Sequence, residues 1–239
     1  MWDDHRLLNL LASALFALAA ALSLYAALLL VIRLPVFPLR AVEVNGRIAH
    51  TTREQVHAIV AGQLAGNFFT LDLEATRAAF QKLPWVRRAN LRRRWPDRLE
   101  VQVEEHVALA RWGDRGLVNT YGELFEAATN EVLPIFVAPE GSAAEVAQRY
   151  EVFCNALRAL DKRPVRVFVS ARRAWEIKLD DGKILELGRT AMEERVRRFV
   201  AVYARVLTQL PDGPYRIDLR YPNGFALRAA TPAVFVRGA

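Results

Sequence analysis

The chain has 239 residues, 33 Lys and Arg against 26 Asp and Glu, a net charge of +7 and one cysteine, Cys154. A lone cysteine excludes a disulfide framework and reads as a core thiol on a helix. Hydrophobic content of 53% is ample for two small domains or one large one beside any membrane segment.

Residues 7–32, LLNLLASALFALAAALSLYAALLLVI, carry no charge, and their small polar residues are Asn9, Ser13 and Ser23. About 20 apolar residues cross a hydrocarbon core of roughly 30 Å. A backbone in lipid must satisfy its own hydrogen bonds, so the run predicts a transmembrane helix over 7–33. Arg33 ends it, and Pro35 and Pro38 bar its continuation. A buried core helix is rarely this long without a charge. A cleaved signal peptide would place a small-residue site behind a shorter apolar region, whereas here the small triplets 12–14 and 19–21 lie inside the run. An uncleaved anchor fits better. Flanking charges leave orientation open, with Arg6, Asp3 and Asp4 on one side and Arg33, Arg40 and Arg47 on the other. Size sets the expectation: residues 1–6 form a cytoplasmic tail and the long remainder is translocated. The positive balance beyond the span then points to an anionic lipid surface or an acidic partner, with solvated surface charge as the bland alternative.

Residues 42–44 read as a strand closed by Asn45-Gly46. Thr51 and Glu54 form a capping box ahead of Val56, Ile59, Val60 and Leu64 at helical spacing, with Gly62 and Gly66 loosening and ending that helix. Phe68-Phe69 reads as a buried loop anchor. Asp72 opens a second helix with apolar Leu73, Ala79, Phe80 and Leu83, and Pro84 stops it. Trp85 and Val86 open a strand to Trp95, Pro96-Asp97 is a turn, and 98–105 alternates with Leu99, Val101 and Val103 on one face. The order β-α-α-β-β is an α+β unit over 37–105. Arg87-Arg88 and Arg92-Arg93-Arg94 between two tryptophans invite a nucleic-acid reading. Alternation sends these arginines to both faces, and the expected side of the membrane holds no nucleic acid, so no such partner is expected.

FPLRAVEVNG at 37–46, and LPWV at 83–86 followed by a basic strand and RRWPDRLEV at 93–101, resemble the POTRA family. The resemblance implies a protein-docking module, not an enzyme, that grips partners through exposed sheet edges or strand–helix grooves.

Past Glu105, the alternation of Val107, Leu109 and Arg111 predicts nearly continuous β structure joining the two domains. Residues 117–119 and 124–127 bracket a Tyr121-Gly122 hairpin, and 132–137 is an apolar segment interrupted by Pro134. Ser142 and Glu145 make a second capping box, before a helix burying Val146, Tyr150, Phe153, Leu157 and Leu160. Residues 165–169 are a strand, and 175–179 and 184–187 flank Asp180-Asp181-Gly182, a hairpin signal. Thr190 with Glu193 caps a third helix, with Val196, Phe199, Val200, Tyr203, Leu207 and Leu210 inward and Arg195, Arg197, Arg198 and Arg205 on other faces. Residues 215–220 form a strand, Pro222-Asn223-Gly224 a turn and 225–228 the last strand. The expected fold class is α+β: a membrane helix, a β-α-α-β-β domain, and a mixed β domain over 106–229 with helices packed on its sheet, then a tail at 230–239.

LGR at 187–189, RVRRFVAVY at 195–203 and IDLRYPNGFAL at 217–227, with the POTRA pattern, resemble the FtsQ/DivIB family of bacterial cell-division proteins over essentially the whole chain. The family implies an essential, non-enzymatic, single-span scaffold of the inner membrane at the septum, N-terminus cytoplasmic and bulk periplasmic. It implies a link from early division proteins to the septal peptidoglycan-synthesis complex, with the β domain binding FtsB together with FtsL, and the POTRA domain recruiting FtsK, FtsW or FtsI. Carried over, the FtsB surface is Arg189, Arg220, Tyr221, Asn223, Gly224 and Phe225, with Arg189 set against a partner carboxylate and Tyr221 as an aromatic anchor. A terminal edge strand suits this role, because its free N–H and C=O groups accept another strand. Relatives often carry a tryptophan near the end of that strand. Here Ala229 and Ala230 follow Arg228, which weakens the apolar clasp or moves it to Phe225 and Phe235. Plain structural roles stand beside these: Gly224 serving the turn, Tyr221 in the core.

No chemistry competes with this reading. There is no P-loop, nucleophile elbow, HExxH or CxxC. His5, His50, His57 and His106 lack metal-ligand spacing. Asp180-Asp181 and Glu104-Glu105 are adjacent pairs, not carboxylates facing one substrate, and Ser170 lacks a base. No catalytic residue, cofactor, metal or small-molecule substrate is expected. An anchored periplasmic enzyme would need a polar cleft with such groups. A POTRA-containing envelope assembly or secretion component is the other alternative; it would need a downstream barrel of alternating strands, for which too little chain remains.

Overall fold

The computed structural model describes residues 5–33, 38–63, 67–206, 213–222 and 224–229. Pro35, Leu64, Gly66, Leu207, Leu210, Asn223, Ala230 and Phe235, singled out above, lie outside them. Helix α1 (His5–Arg33) contains the apolar run Leu8–Ile32 of 25 residues. At 1.5 Å per residue this is about 37 Å, enough to cross a bilayer core. None of that run is buried against the rest of the described protein, unlike a core helix of similar composition.

The chain divides into two compact units, Met1–Glu105 and His106–Ala239. After α1, the first holds β1 (Ala41–Asn45), α2 (Arg53–Gln63), α3 (Leu73–Gln81), β2 (Val86–Arg94) and β3 (Arg98–Glu105). The sheet order is β1-β3-β2, with β1 parallel and β2 antiparallel to β3. The central position of β3 explains why alternating Leu99, Val101 and Val103 are buried, with Phe80 of α3 packed among them. Gly46 ends β1 at φ +138°, where a Cβ would run into the Val103 carbonyl; only glycine lets the chain pass β3 there.

Asp72 caps α3 as its spacing predicts, accepting from the N–H groups of Glu74 (2.9 Å) and Ala75 (3.0 Å). The α2 cap lies one residue later than predicted. Thr52 Oγ1 accepts from Gln55 N–H (3.3 Å) and Gln55 Oε1 from Thr52 N–H (2.9 Å), so Thr52 and Gln55 form the capping box. Thr51 is occupied elsewhere. Its N–H donates to the Glu105 carboxylate at 2.7 Å, as do those of Ala49 (2.8 Å) and His50 (3.1 Å).

One further expectation shifts. Phe68 is buried but Phe69 is 44% exposed. Trp85 is buried and stacks on His50 with ring centroids 3.7 Å apart, so it offers no surface for a base. The arginine run binds its own unit. Arg92 forks on Glu100 (2.9 Å twice), Arg87 meets Glu104 at 2.7 Å, and Arg93 donates to the Leu71 carbonyl at 2.6 Å.

The second unit contains β4 (Ala108–Trp112), β5 (Leu117–Asn119), β6 (Leu124–Phe125), β7 (Ile135–Val137), α4 (Ala143–Leu157), a short 3-10 turn (Arg158–Leu160), β8 (Pro164–Val169), β9 (Trp175–Leu179), β10 (Ile184–Gly188), α5 (Met192–Val206), β11 (Tyr215–Asp218) and β12 (Ala226–Ala229). They form one mixed sheet in the order β12-β11-β10-β9-β8-β7-β4-β5-β6. Val146, Phe153 and Leu157 of α4 and Val196 and Phe199 of α5 join one core with Val167, Ile177, Leu185, Leu187 and Ile217 of the sheet. The nearly continuous β structure expected across the boundary is seen, β3 ending at Glu105 and β4 beginning at Ala108 with a break of two residues at His106 and Val107. His106 is drawn to its own unit, its ring stacked on Phe125 (4.1 Å) and its Nδ1 2.9 Å from Asn119 Nδ2.

The other two predicted capping boxes do not form. The Ser142 hydroxyl donates to the Pro139 carbonyl, and Glu145 pairs with Arg149 and Arg173, both at 3.1 Å. Helix α5 begins behind Ala191, whose φ is +51°, so Thr190 is not its cap. The strand expected over 215–220 stops at Asp218, whose carboxylate accepts the Arg220 N–H (3.0 Å) and turns the chain.

Burial raises the Glu105 pKa, but the hydrogen bonds from Thr51, Ala49 and His50 outweigh it and hold the carboxyl below its ordinary 4.5. A lowered folded pKa gives stability that is present above the ordinary value and lost as pH falls through the folded one. Glu105→Gln is therefore expected to destabilise this unit by about 1–2 kcal/mol at neutral pH. Amide hydrogen exchange at 49–51 should accelerate, and the difference from wild type should shrink below about pH 4.

Candidate functional site

Strand β12 is the outermost of its sheet among the described residues. It pairs antiparallel with β11 in the register Tyr215↔Ala229, Arg216↔Arg228, Ile217↔Leu227, Asp218↔Ala226. Alternate residues of β12 thus direct N–H and C=O groups away from β11, with no further strand among the described residues. Leu227 and Phe225 pack on the core and hold the strand from inside, while Arg228 and Ala229 are exposed.

The chain between β11 and β12 is held from above. One Arg198 guanidinium on α5 donates from Nη1 to the Pro222 carbonyl, and from Nη2 to the carbonyls of Tyr221 (2.8 Å) and Leu219 (3.1 Å). A single cation thus satisfies three carbonyls of one turn, through charge-assisted bonds stronger than neutral ones. With its backbone fixed, Tyr221 is 54% exposed; it is not a core residue. Arg198, off the apolar face of α5 as its spacing predicts, reaches back to the sheet, as does Arg195, which donates to the Leu187 carbonyl.

Arg220 forks on Asp218 (2.8 and 2.6 Å) and lies 3.5 Å from Glu186. The Arg220 hydrogen bonds, opposed by partial burial, hold the Asp218 carboxyl below its usual range, and the same pairing raises the Arg220 pKa. A partner carboxylate would have to compete with Asp218 for it. Arg189 is exposed and follows Gly188, whose φ is +74° and whose added Cβ would lie 3.2 Å from Arg220 Cγ. The fold therefore brings the 188–189 segment and Arg220 to one end of the sheet. Gly224 has ordinary φ and open space where a Cβ would be, so the turn does not require glycine there. Phe225 faces the core, and Asn223 lies outside the described residues.

Two residues of this edge escaped the sequence reading. Arg198 carries no local signal, because its three acceptors lie more than twenty positions downstream. Arg216 bridges Glu176 (2.5 Å) and Glu186 (2.9 Å), tying β11 to β9 and β10; its place between inward Tyr215 and Ile217 could have marked it as an outer-face charge. Among the described residues, no three His, Cys, Asp or Glu side chains converge to hold a metal ion. Cys154 is half-buried on α4, and burial pushes its thiol pKa up, away from an activated nucleophile.

Comparison with known proteins decides what kind of molecule carries this edge. The family described as POTRA domain, FtsQ-type, matches residues 37–106, and Cell division protein FtsQ/DivIB, C-terminal, matches residues 110–220. Cell division protein FtsQ of Nitrosospira multiformis is 45% identical over 233 residues, covering 95% of this chain and 99% of that protein. The chain belongs to the FtsQ family of cell-division proteins. FtsQ of Burkholderia pseudomallei is 43% identical over 237 residues (96% and 95% covered), and FtsQ of Bordetella pertussis 38% over 255 residues (96% and 93%). With α1 at its N-terminal end, this FtsQ family member is a membrane-anchored division protein.

Arg198→Gln removes the clamp without touching Tyr221, Arg220 or Arg189. Amide exchange at 219–221 is expected to rise about tenfold or more on loss of the charge-assisted bonds to three carbonyls, with unchanged far-UV circular dichroism. Unchanged exchange would mean that the strands alone hold the turn.

Proposed function

We propose that the protein is a non-enzymatic scaffold that captures FtsB, together with FtsL, on the β12 edge, and so links early division proteins to the septal peptidoglycan-synthesis complex. In this reading α1 sits in the inner membrane with residues 1–6 cytoplasmic, and the domains at 37–105 and 106–229, with the tail at 230–239, lie in the periplasm at the septum. The observation that carries it is the outermost strand beside a clamped turn that exposes Tyr221. A strand of FtsB added to β12 would gain main-chain hydrogen bonds, with side-chain contacts setting its identity. Arg189 would meet an acidic side chain and the Tyr221 ring would be covered. Gly224 leaves room for a partner side chain, Asn223 belongs to the same turn in sequence, and Phe225 supports the strand from below. Arg220 would contribute by exchanging Asp218 for a partner carboxylate.

The POTRA unit would recruit FtsK, FtsW or FtsI. Supporting this is a groove of about 490 Å³ between the outer strand β1 and α2, lined by Val42, Val44, Ile48, Val56 and Val60 together with the polar Thr51, Thr52, Arg53 and His57. Such a groove accepts an apolar segment laid along a strand edge.

The test is binding of the full chain in detergent to the C-terminal periplasmic part of FtsB, with and without Tyr221→Glu. Wild type is expected to bind, and the variant to lose about 30-fold or more, as for loss of an interface hot spot. Binding that survives moves the site away from Tyr221. A folded chain that binds neither FtsB nor FtsB with FtsL sinks the scaffold reading. In cells, depletion is expected to give undivided filaments; outer-membrane defects without filaments would instead favour an envelope-assembly role.

A further inference from the structure

We propose that the turn between β2 and β3 docks on the headgroup layer of the membrane that α1 enters, with Trp95 and its surrounding arginines engaging anionic phospholipid. The inference rests on α1 spanning a membrane, and holds whichever side of that membrane carries the two units.

Trp95 is 78% exposed. A tryptophan ring is a large apolar body with one polar N–H, so an uncovered one suits a boundary between water and hydrocarbon. The side chains of Arg40, Arg92, Arg94 and Arg98 around this turn are 73%, 76%, 63% and 52% exposed. Three carboxylates face them. Glu43 is shared by Arg98 (2.6 Å) and Arg94 (3.7 Å), Asp97 reaches Arg40 only at 4.0 Å, and Glu100 is taken by Arg92. Arg93 turns inward to the Leu71 carbonyl. The four arginines thus outnumber their three acids.

Placement supplies the second argument. The Asp97 carbonyl accepts the Arg40 N–H at 2.9 Å, and Ala41 pairs with Arg98. The turn therefore sits at the start of β1, the end of the sheet that the chain reaches first from α1. Arg40 is seven positions after Arg33, so the two lie at most about 25 Å apart on any path. The tether holds an uncovered tryptophan and a net positive patch near the bilayer surface, where each arginine adds about fivefold to attraction for anionic lipid. An apolar or acidic patch there would be neutral or repelled.

The experiment uses the full chain reconstituted in phosphatidylcholine vesicles, with or without phosphatidylglycerol, and reads tryptophan quenching by lipids brominated near the headgroup. Comparing wild type with Trp95→Phe cancels Trp2, Trp85, Trp112 and Trp175; because Trp95 is exposed, the variant should fold, as circular dichroism will check. Wild type is expected to show a quenched component that Trp95→Phe lacks, larger with phosphatidylglycerol. Arg94→Gln with Arg98→Gln should weaken that component about 30-fold. Equal quenching of wild type and Trp95→Phe overturns the proposal, as does a Trp95 component indifferent to both phosphatidylglycerol and the arginines, or one that appears only when a soluble acidic protein is added. Carbonate extraction separates the two failures. A chain stripped from the vesicles fails the anchor reading and takes the docking with it, whereas a retained chain with unquenched Trp95 fails the docking alone.

Discussion

The parallel pairing of β10 with β11 is the constraint from which the second unit follows. Parallel neighbours cannot be joined by a tight hairpin; the chain must leave the sheet and return at the same end. Here α5 makes that crossing. It covers the sheet with Val196 and Phe199 and sets Arg198 over the carbonyls that follow β11. The chain then turns once more, so β12 comes out antiparallel at the outside of the sheet. The open edge, the clamped turn and the exposed Tyr221 are consequences of one connection.

Many of the cations in this protein are matched within their own unit. Arg195 and Arg198 serve backbone carbonyls, Arg216 joins two glutamates across strands, and Arg92 and Arg87 are matched by carboxylates of the neighbouring strand. Glu105 does the converse, accepting three consecutive N–H groups. The net charge of +7 is therefore a poor guide to where a partner binds. What matters is which cations remain turned to solvent: Arg189 beside the open edge, and the cluster around Trp95.

The two units bury their cores separately, each around its own sheet. Each sheet has an outer strand among the described residues, β1 in the first unit and β12 in the second, and the anchor confines both units to the neighbourhood of a membrane.

Local patterning was legible wherever the relevant partner lies close in sequence. The apolar run of α1, the alternation of β3, the Asp72 cap and the Asp180-Asp181-Gly182 hairpin depend on periodicity and on turn chemistry within a few residues. The motif at 217–227 also marked the region of the candidate edge. Long-range partners decided the rest. Thr51 lost its cap role to a carboxylate 54 positions away, and the two-residue break between β3 and β4 falls where Phe125 and Asn119 hold the His106 ring. Phe225 turned to the core and Tyr221 to solvent because α5 lies over that turn. The sequence by itself determined the element types, the anchor and the family, since each is carried by residues near one another in the chain. Only the tertiary structure decided which arginines are free, which strand is outermost and which aromatic ring faces outward, because those depend on groups that meet only when the sheet is complete.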